Sequence, residues 1–262
     1  MIILKITLLR LQEGIKVLDF IYCELLKFKR TGFLISVILF SLIWLPVVLF
    51  KSTLTGQGAW YLMFYKYEYI TFGFLYTIII TILISIIFTR EVRYETANVM
   101  FCYPSGRTGV VINKLLAGAI IIAMIYFVSF IMSVIGGMIF IKESINVGAI
   151  LNHGKVFLAS YVLQIVIMPL TAFIALLFGN IVVSFSYAMI LMVANFAYVF
   201  INKYRSVTFS ILPVIINLNT PESMVDKPLN ILISNQNIIL GGCVFTIGLL
   251  GCFIYSRKAS IN

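Results

Sequence analysis

The side chains that could do acid–base or metal chemistry are few in this sequence. It has one histidine, His153, and four cysteines, and no two of the cysteines form a CxxC pair. Metal centres and disulfide frameworks need such ligands at characteristic spacings. We therefore predict no catalytic residue and no metal site, and we interpret His153 as a solvated residue of an outer loop. A metal-binding or pH-sensing role for this side chain is the alternative.

The segment from Gly148 to Val156 is the nearest approach to a phosphate-binding loop. It has one residue too many between its two glycines, and it ends in Val156 where that loop needs Ser or Thr. It therefore predicts no nucleotide site, and no cofactor is expected on this chain. If the protein is a transporter, ATP and Mg²⁺ would be bound by a separate ATPase subunit.

The elements that position these residues must be membrane helices. Of the 262 residues, 62% are apolar and only 11% are charged, far from the composition of soluble domains. The net charge of +10 is explained by topology signals at the ends of spans, so we expect no nucleic-acid partner. The expected fold is an all-α integral membrane protein.

Runs without charged residues that can cross about 30 Å of hydrocarbon predict six spans. The runs are 32–50, 69–89, 115–141, 156–202, which holds two spans divided at Gly179–Asn180, and 236–256. Spans without charge argue against ion-coupled transport and against intramembrane catalysis. A channel is disfavoured because no polar face recurs along any span.

The positive charges give the orientation of these spans. Six Lys and Arg residues precede the first span, four lie between the second and third, two follow the sixth, and seven lie on the opposite side. Both termini are therefore predicted to be cytoplasmic. The aromatic cluster 60–69 would then form a belt at the outer interface, with peptide binding as the alternative.

Two cytoplasmic segments could contact a partner protein. The segment 17–31 has apolar residues at helical spacing, which predicts an interfacial helix that anchors the chain or rests on a partner. The segment 90–114 carries both signs of charge and turns at residues 103–106. It forms either an ordinary solvated loop or a stiff protrusion suited to force transfer.

Together these features resemble the permease subunits of ABC-2-type ABC transporters, especially those of lantibiotic self-immunity and bacitracin-type peptide resistance. The resemblance is carried by residues 24–30, 88–91, the turn 103–107 with Lys114, and the long outer segment before the sixth span. It implies an ATPase subunit and a second permease half, either a copy of this chain or a different subunit, as partners. It also implies functional residues of two kinds. The ATPase-coupling residues are Arg90, Glu91, Arg93, Tyr94, Glu95, Tyr103, Pro104 and Arg107, and those of the interfacial helix are Glu24, Lys27, Lys29 and Arg30.

The predicted organisation has three parts. Residues 1–31 form a cytoplasmic segment, 32–256 a six-helix transmembrane domain, and 257–262 a cytoplasmic tail. The transmembrane domain contains the coupling segment 90–114 and an outer re-entrant hairpin at 203–235, in which Pro213 and Pro221 interrupt an apolar stretch too short to cross.

Polar and small residues within the spans predict how the helices meet. Gln164 and Asn195 could line a path, although we favour hydrogen bonds between helices. Ser129, Ser133 and Gly137 recur every four residues of the third span and predict a face of close helix contact.

The first residues of the chain have no clear pattern, and we predict that translation starts at Val17. Residues 12–14 can be encoded by a purine-rich sequence that resembles a ribosome-binding site, and Val17 can be encoded by GTG, which also serves as a start codon. A native N-terminal peptide containing residues 6–10 would contradict this prediction.

The leading functional hypothesis is a permease for ATP-driven export of an amphipathic substrate, such as a lantibiotic or another antimicrobial peptide. Spans without charge suit a peptide or lipid-like cargo, because an ion would lose its hydration there. The alternative is an ATP-independent membrane protein that acts in immunity, sensing or assembly.

Overall fold

The chain folds into long helices, which a computed structural model describes over most of their length. The described residues are 58–93, 106–141, 144–200 and 235–258, with the single positions 22, 23, 26 and 215. All regular elements in these ranges are helical. In chain order they are α1 (Ala59–Ile70), a π-helical segment (Thr71–Leu75), α2 (Tyr76–Arg93), α3 (Gly106–Phe140), α4 (Val147–Phe178), α5 (Ile181–Phe200) and α6 (Asn235–Lys258).

Four helices in the described part are long and apolar enough to cross a membrane. They are Ala59–Arg90, Thr108–Phe140, Val147–Phe178 and Ile239–Arg257, and Ile181–Ala194 is a shorter apolar helix. The first predicted span, 32–50, lies outside the described residues. The all-helical membrane fold is therefore confirmed, whereas six spans with cytoplasmic termini remain a prediction.

The division of the long apolar run 156–202 at Gly179–Asn180 agrees with the structure. Gly179 has a φ of 59°, a left-handed conformation that suits glycine, and its N–H donates to the Ala175 carbonyl at 2.9 Å. The side-chain oxygen of Asn180 then accepts a hydrogen bond from the N–H of Val182 at 2.9 Å. This side chain therefore caps the first turn of α5.

Two helices begin earlier than the uncharged runs 69–89 and 156–202, which stop at Glu68 and Lys155. α1 begins at Ala59, after Gly58 with its φ of 112°, and α4 begins at Val147 after the cap residue Asn146. A helix within a bundle can carry charged side chains that pair with neighbours or reach towards an interface.

The aromatic cluster 60–69 lies within α1, and the predicted interfacial belt does not hold for three of its six members. Trp60, Phe64 and Tyr67 are buried within the bundle. The Trp60 Nε1 donates to the Ser144 carbonyl at 3.1 Å, which ties the start of α1 to the segment before α4. We call the end of the bundle that contains these residues the Trp60 end and the opposite end, where α2 finishes, the Arg90 end.

The core between these ends is aromatic around the π-helical segment. The Phe72 ring stacks on Tyr126 of α3 at a centroid distance of 5.5 Å and meets Phe157 of α4 edge-on at 4.7 Å. The wider turn also lets the Thr77 hydroxyl donate to the Phe72 carbonyl at 3.2 Å. Single π-helical turns of this kind are frequent at functional sites.

α6 packs most extensively on α4. The contact is close because Gly248 and Gly251 lie against the backbone at Pro169 and Leu170 and against the Phe173 ring. α4 continues through Pro169, and the Cys252 thiol donates to the Pro169 carbonyl at 3.5 Å.

Two further predicted segments are described only at single positions. Tyr22, Cys23 and Leu26 of the predicted interfacial helix are helical and exposed. Ile215 of the predicted outer hairpin is helical and buried in the core. The interfacial helix and the re-entrant hairpin themselves remain predictions.

Candidate functional site

Three spans each contribute one polar side chain to a cluster inside the bundle. Glu68 comes from α1, Ser133 from α3 and His153 from α4, and all three side chains are 0% exposed. Asn146 starts α4 by accepting a hydrogen bond from the Ala149 N–H at 3.1 Å, which places His153 within the second turn of that helix. We call these three residues the Glu68 cluster.

The histidine ring connects the other two members of the Glu68 cluster. Its Nδ1 lies 2.5 Å from Glu68 Oε1, and its Nε2 lies 2.7 Å from Ser133 Oγ. Ser133 Oγ also donates to the Phe130 carbonyl of its own helix at 2.7 Å. The cluster is therefore a continuous hydrogen-bonded chain that joins α1, α3 and α4 near the Trp60 end.

Aromatic rings surround the imidazole of His153. Phe64 stacks on it with ring centroids 3.9 Å apart, and Phe130 stacks at 5.4 Å. Phe157 meets it edge-on at 4.6 Å, and Tyr67 does so at 6.1 Å. These rings keep water from the contact between His153 and Glu68, and electrostatic interactions strengthen where water is excluded.

Two sequence-based predictions are overturned at this cluster. His153 was expected in a solvated outer loop, and the spans were expected to be free of charge, yet His153 and Glu68 are buried together within two helices. The pattern within α4 held a usable signal: Ala149, His153, Val156 and Ser160 recur at helical spacing, and all are buried. Glu68 lies on a similar face, because Trp60, Phe64 and Glu68 recur every four residues of α1 and are buried. Neither pattern indicated its pairing with His153, which is 85 residues away.

The order serine, histidine, carboxylate is that of a nucleophile, a base and an orienting acid. Here the serine hydroxyl is fully buried and donates to the Phe130 carbonyl, so Ser133 is not presented to a substrate. No group of three potential metal ligands occurs among the residues that the structure describes. The arrangement is suited to holding a proton and to joining three helices.

Hydrogen bonds between tyrosine and serine connect the same helices further along the bundle. The Tyr76 hydroxyl donates to Ser129 Oγ, and the Tyr126 and Ser160 hydroxyls lie 2.8 Å apart. Gly137 of α3 lies directly against the Trp60 ring. The predicted contact face of Ser129, Ser133 and Gly137 is thus confirmed, with an aromatic or histidine ring opposite each residue.

The hydroxyls of α2 behave differently from those around the Glu68 cluster. Thr81, Ser85 and Thr89 are buried, and each donates to the carbonyl four residues earlier in its own helix, at 2.7 to 2.8 Å. Such back-bonding satisfies the hydroxyl locally. This part of α2, which packs on α4 and α5, presents a row of hydroxyls bonded within one helix.

A second charged residue, Lys114 of α3, is buried near the Arg90 end. Its Nζ donates to the Ile87 carbonyl at 3.0 Å and lies 5.5 Å from the centroid of the Phe88 ring. The contact joins α3 to the end of α2. Lys114 closes the predicted coupling segment 90–114, so this segment is attached to the bundle through at least one buried cation.

The predicted ATPase-coupling residues lie at the Arg90 end where the structure describes them. Arg90 is half-buried in the last turns of α2, whose backbone continues through Glu91 to Arg93, and Arg107 lies in the first turn of α3. The remaining coupling residues and the four of the interfacial helix lie outside the described residues; they are Tyr94, Glu95, Tyr103, Pro104, Glu24, Lys27, Lys29 and Arg30.

The two predicted path-lining amides are placed on helices and are not brought into the Glu68 cluster. Gln164 is half-buried on α4, and Asn195 lies on α5, with its side chain outside the described part. Their proposed hydrogen bonds between helices remain a prediction.

Comparison with known proteins matches the chain to a transporter family. Residues 20–195, about two thirds of the chain, match the family model described as ABC-2 family transporter protein. The matched range includes α1 to α4, all three residues of the Glu68 cluster and the predicted coupling segment. No curated protein matches the chain.

Proposed function

The chain belongs to the ABC-2 family of transporter proteins, and from this premise we propose that it forms the path for ATP-driven export of an amphipathic substrate. Members of this family are membrane components of ABC transporters, and this chain is a multi-pass plasma-membrane protein. The proposed cargo is a lantibiotic or another antimicrobial peptide, and the biological role is self-immunity or resistance. The family match carries the permease part of this proposal, and the cargo rests on the resemblance to lantibiotic-immunity permeases.

The outward face of α3 suits an amphipathic cargo, as it suits the lipid that every membrane helix contacts. Large apolar side chains are exposed along α3, at spacings of three and four residues; examples are Ile120, Met124, Phe127 and Ile131. The buried charges Glu68 and Lys114, in contrast, are bonded inside the bundle. A peptide with one apolar face can travel along such a surface, whereas a bare ion would lose its hydration without compensation.

The ATPase is proposed to dock at the Arg90 end, and ATP and Mg²⁺ are bound by that subunit. α2 ends at Arg93 and α3 begins at Gly106, so the segment between them starts and ends on two spans that meet through Lys114. A push on this segment would therefore reach both spans directly. The proposed functional unit contains a second permease half, either a copy of this chain or another subunit.

The first test is affinity purification of the chain from its own membranes in mild detergent. We expect an ABC ATPase to copurify in a fixed ratio to this chain. Arg90→Glu should reduce the recovered ATPase, because it reverses a charge at the proposed docking end. Lys155→Glu is the matched control, since it makes the same change at an exposed position towards the Trp60 end.

The outcomes of this test separate the parts of the proposal. Recovery of the wild-type chain without any ATPase would overturn the transporter proposal. If wild type and Arg90→Glu elute as the same folded species and recover equal amounts of ATPase, only the proposed docking site would be overturned.

The cargo is tested in cells that express the chain with its ATPase and are exposed to a panel of lantibiotics. We expect protection that disappears when the catalytic carboxylate of the ATPase is replaced. Protection that persists without ATP hydrolysis would instead support the second candidate, an ATP-independent immunity, sensor or assembly protein. For this second candidate, the Glu68 cluster would be the sensor site, because it is ionisable and buried.

A further inference from the structure

The hydrogen atoms available at Ser133 limit how the Glu68 cluster can be protonated. The hydroxyl has one proton and lies 2.7 Å from two neighbours, the Phe130 carbonyl oxygen and His153 Nε2. A carbonyl oxygen can only accept a hydrogen bond, whereas Nε2 can either donate or accept. Both contacts are hydrogen bonds at once only when the serine donates to the carbonyl and Nε2 carries a proton, and this is the arrangement that we assign.

The other side of the imidazole requires a second proton. Nδ1 and Glu68 Oε1 are 2.5 Å apart, which is a hydrogen bond only if one of the two atoms carries a proton. The cluster is therefore either an imidazolium paired with a carboxylate or a neutral imidazole paired with a carboxylic acid. Both forms hold one proton more than a separate glutamate and histidine hold in water above about pH 6.5.

The surroundings of the pair help to retain this proton. Both side chains are 0% exposed and enclosed by aromatic rings, so an unshared charge there would lack hydration. In the described part of the chain, the other titratable side chains of these elements towards this end of the bundle are tyrosines and lysines. They are Tyr61, Tyr65, Tyr67, Tyr69 and the half-buried Lys66 on α1, Tyr76 at the start of α2, Tyr126 on α3, and Tyr161 and the exposed Lys155 on α4. Tyrosine and lysine in water titrate near pH 10, well above the window considered below.

We propose that Glu68, His153 and Ser133 form a proton-binding site inside the membrane domain, occupied by one shared proton while α1, α3 and α4 are packed together. Ionisable chains of this kind within membranes mark proton relays in other proteins. The site depends only on the geometry of this chain and not on the cargo or on the ATPase. Its failure is therefore separate from that of the proposed function.

The site makes separation of the three helices dependent on pH. When α1 and α4 part and water enters, the imidazolium–carboxylate pair becomes a neutral imidazole, a carboxylate and a free proton. The equilibrium constant for opening therefore increases tenfold per pH unit above about pH 6.5. Between about pH 4.3 and 6.5 the separated glutamate and histidine together carry the same net charge as the cluster. The cluster therefore makes the opening equilibrium independent of pH in that range.

The direct test uses the wild-type chain, because His153 is its only histidine. The full chain is prepared with isotope-labelled histidine in lipid nanodiscs, and the two ring nitrogens are observed by nuclear magnetic resonance at about pH 8, where an exposed histidine is neutral. We expect Nε2 to carry a proton and Nδ1 to lie in a hydrogen bond to the carboxyl group. A neutral ring with its proton on Nδ1 and a lone pair on Nε2 would overturn the proposal.

The second test compares the pH dependence of unfolding for matched variants in detergent. Glu68→Gln keeps the size of the side chain and removes the shared proton, so it should lose the tenfold change per pH unit that the wild type shows above about pH 6.5. Lys155→Gln removes an exposed charge two residues from His153 and should keep the wild-type dependence. Equal pH dependence in wild type and Glu68→Gln would contradict the proposal. If Glu68→Gln does not fold, the spectrum of the wild-type histidine decides alone.

Discussion

The contact between α6 and α4 gives a prediction that can be worked out from the structure. An added Cβ at Gly248 would lie 2.6 Å from the Pro169 carbonyl carbon and 2.8 Å from the Leu170 Cα. These are backbone atoms, so no side-chain rotation can relieve the overlap, and the two helices would have to move apart. Gly248→Ala should therefore weaken the most extensive helix contact in the described part of the chain.

The magnitude follows from two opposing effects. Overpacking a well-packed interface costs up to about 3 kcal/mol of stability. We use this upper value because the added Cβ would overlap backbone atoms. Replacing glycine by alanine in a helix stabilises the helix by up to about 1 kcal/mol. The net loss is about 2 kcal/mol, which lowers the melting temperature by about 4 to 8 °C for a protein of this size.

The assay is thermal unfolding in detergent, followed by helical circular dichroism. Gly242→Ala is the matched control, because Gly242 lies on the same helix and a Cβ there would meet nothing within 4 Å. It should leave the melting temperature unchanged or raise it by a few degrees, through helix propensity alone. If Gly248→Ala melts at or above the wild-type temperature, the reasoning from close packing is refuted.

Three further substitutions test the α3 contacts and the α2 hydroxyls. Gly137→Ala would place a Cβ 2.5 Å from the Trp60 ring, so it should displace the ring and shift its fluorescence in a Trp44→Phe background; an unchanged spectrum would contradict the contact. Tyr126→Phe should lower the free energy of unfolding by about 0.5 to 1.5 kcal/mol, because it removes a buried 2.8 Å hydrogen bond and keeps the ring; a loss close to zero would show that the bond contributes nothing. Thr81→Val should change the same free energy by less than about 1 kcal/mol, since its hydroxyl bonds only within α2, and a larger loss would point to a role between helices.

Sequence reasoning predicted the features that depend on local pattern. The turn at Gly179 was predictable because a break was needed within a long apolar run and glycine tolerates the left-handed conformation found there. The contact face of α3 was predictable because small residues at a spacing of four allow another helix to approach closely. Both inferences needed only neighbouring residues of the chain.

The Glu68 cluster was missed because it depends on contacts distant in the sequence. A search for uncharged runs treats Lys66, Glu68 and Lys155 alike as boundaries, although Glu68 is buried against His153 and Lys155 is exposed. The hydropathy of a window cannot distinguish a charge that ends a helix from one that pairs inside the bundle. Only the packing of α1 against α4 brings the acid and the base together.

The two ends of the bundle are held in different ways, and this has a consequence for any transport cycle. Towards the Trp60 end, side chains bond from one helix to another, at His153 to Glu68 and to Ser133. Towards the Arg90 end, the buried hydroxyls of α2 bond within their own helix, so α2 can shift against its neighbours without losing those bonds. Movement that starts at the proposed ATPase dock can therefore begin along α2 without loss of its hydroxyl bonds, provided that α3 moves with it or the Lys114 bond to the Ile87 carbonyl breaks. It must break the Glu68 cluster before α1 and α4 separate, and the proton bound there makes this last step the one that pH controls.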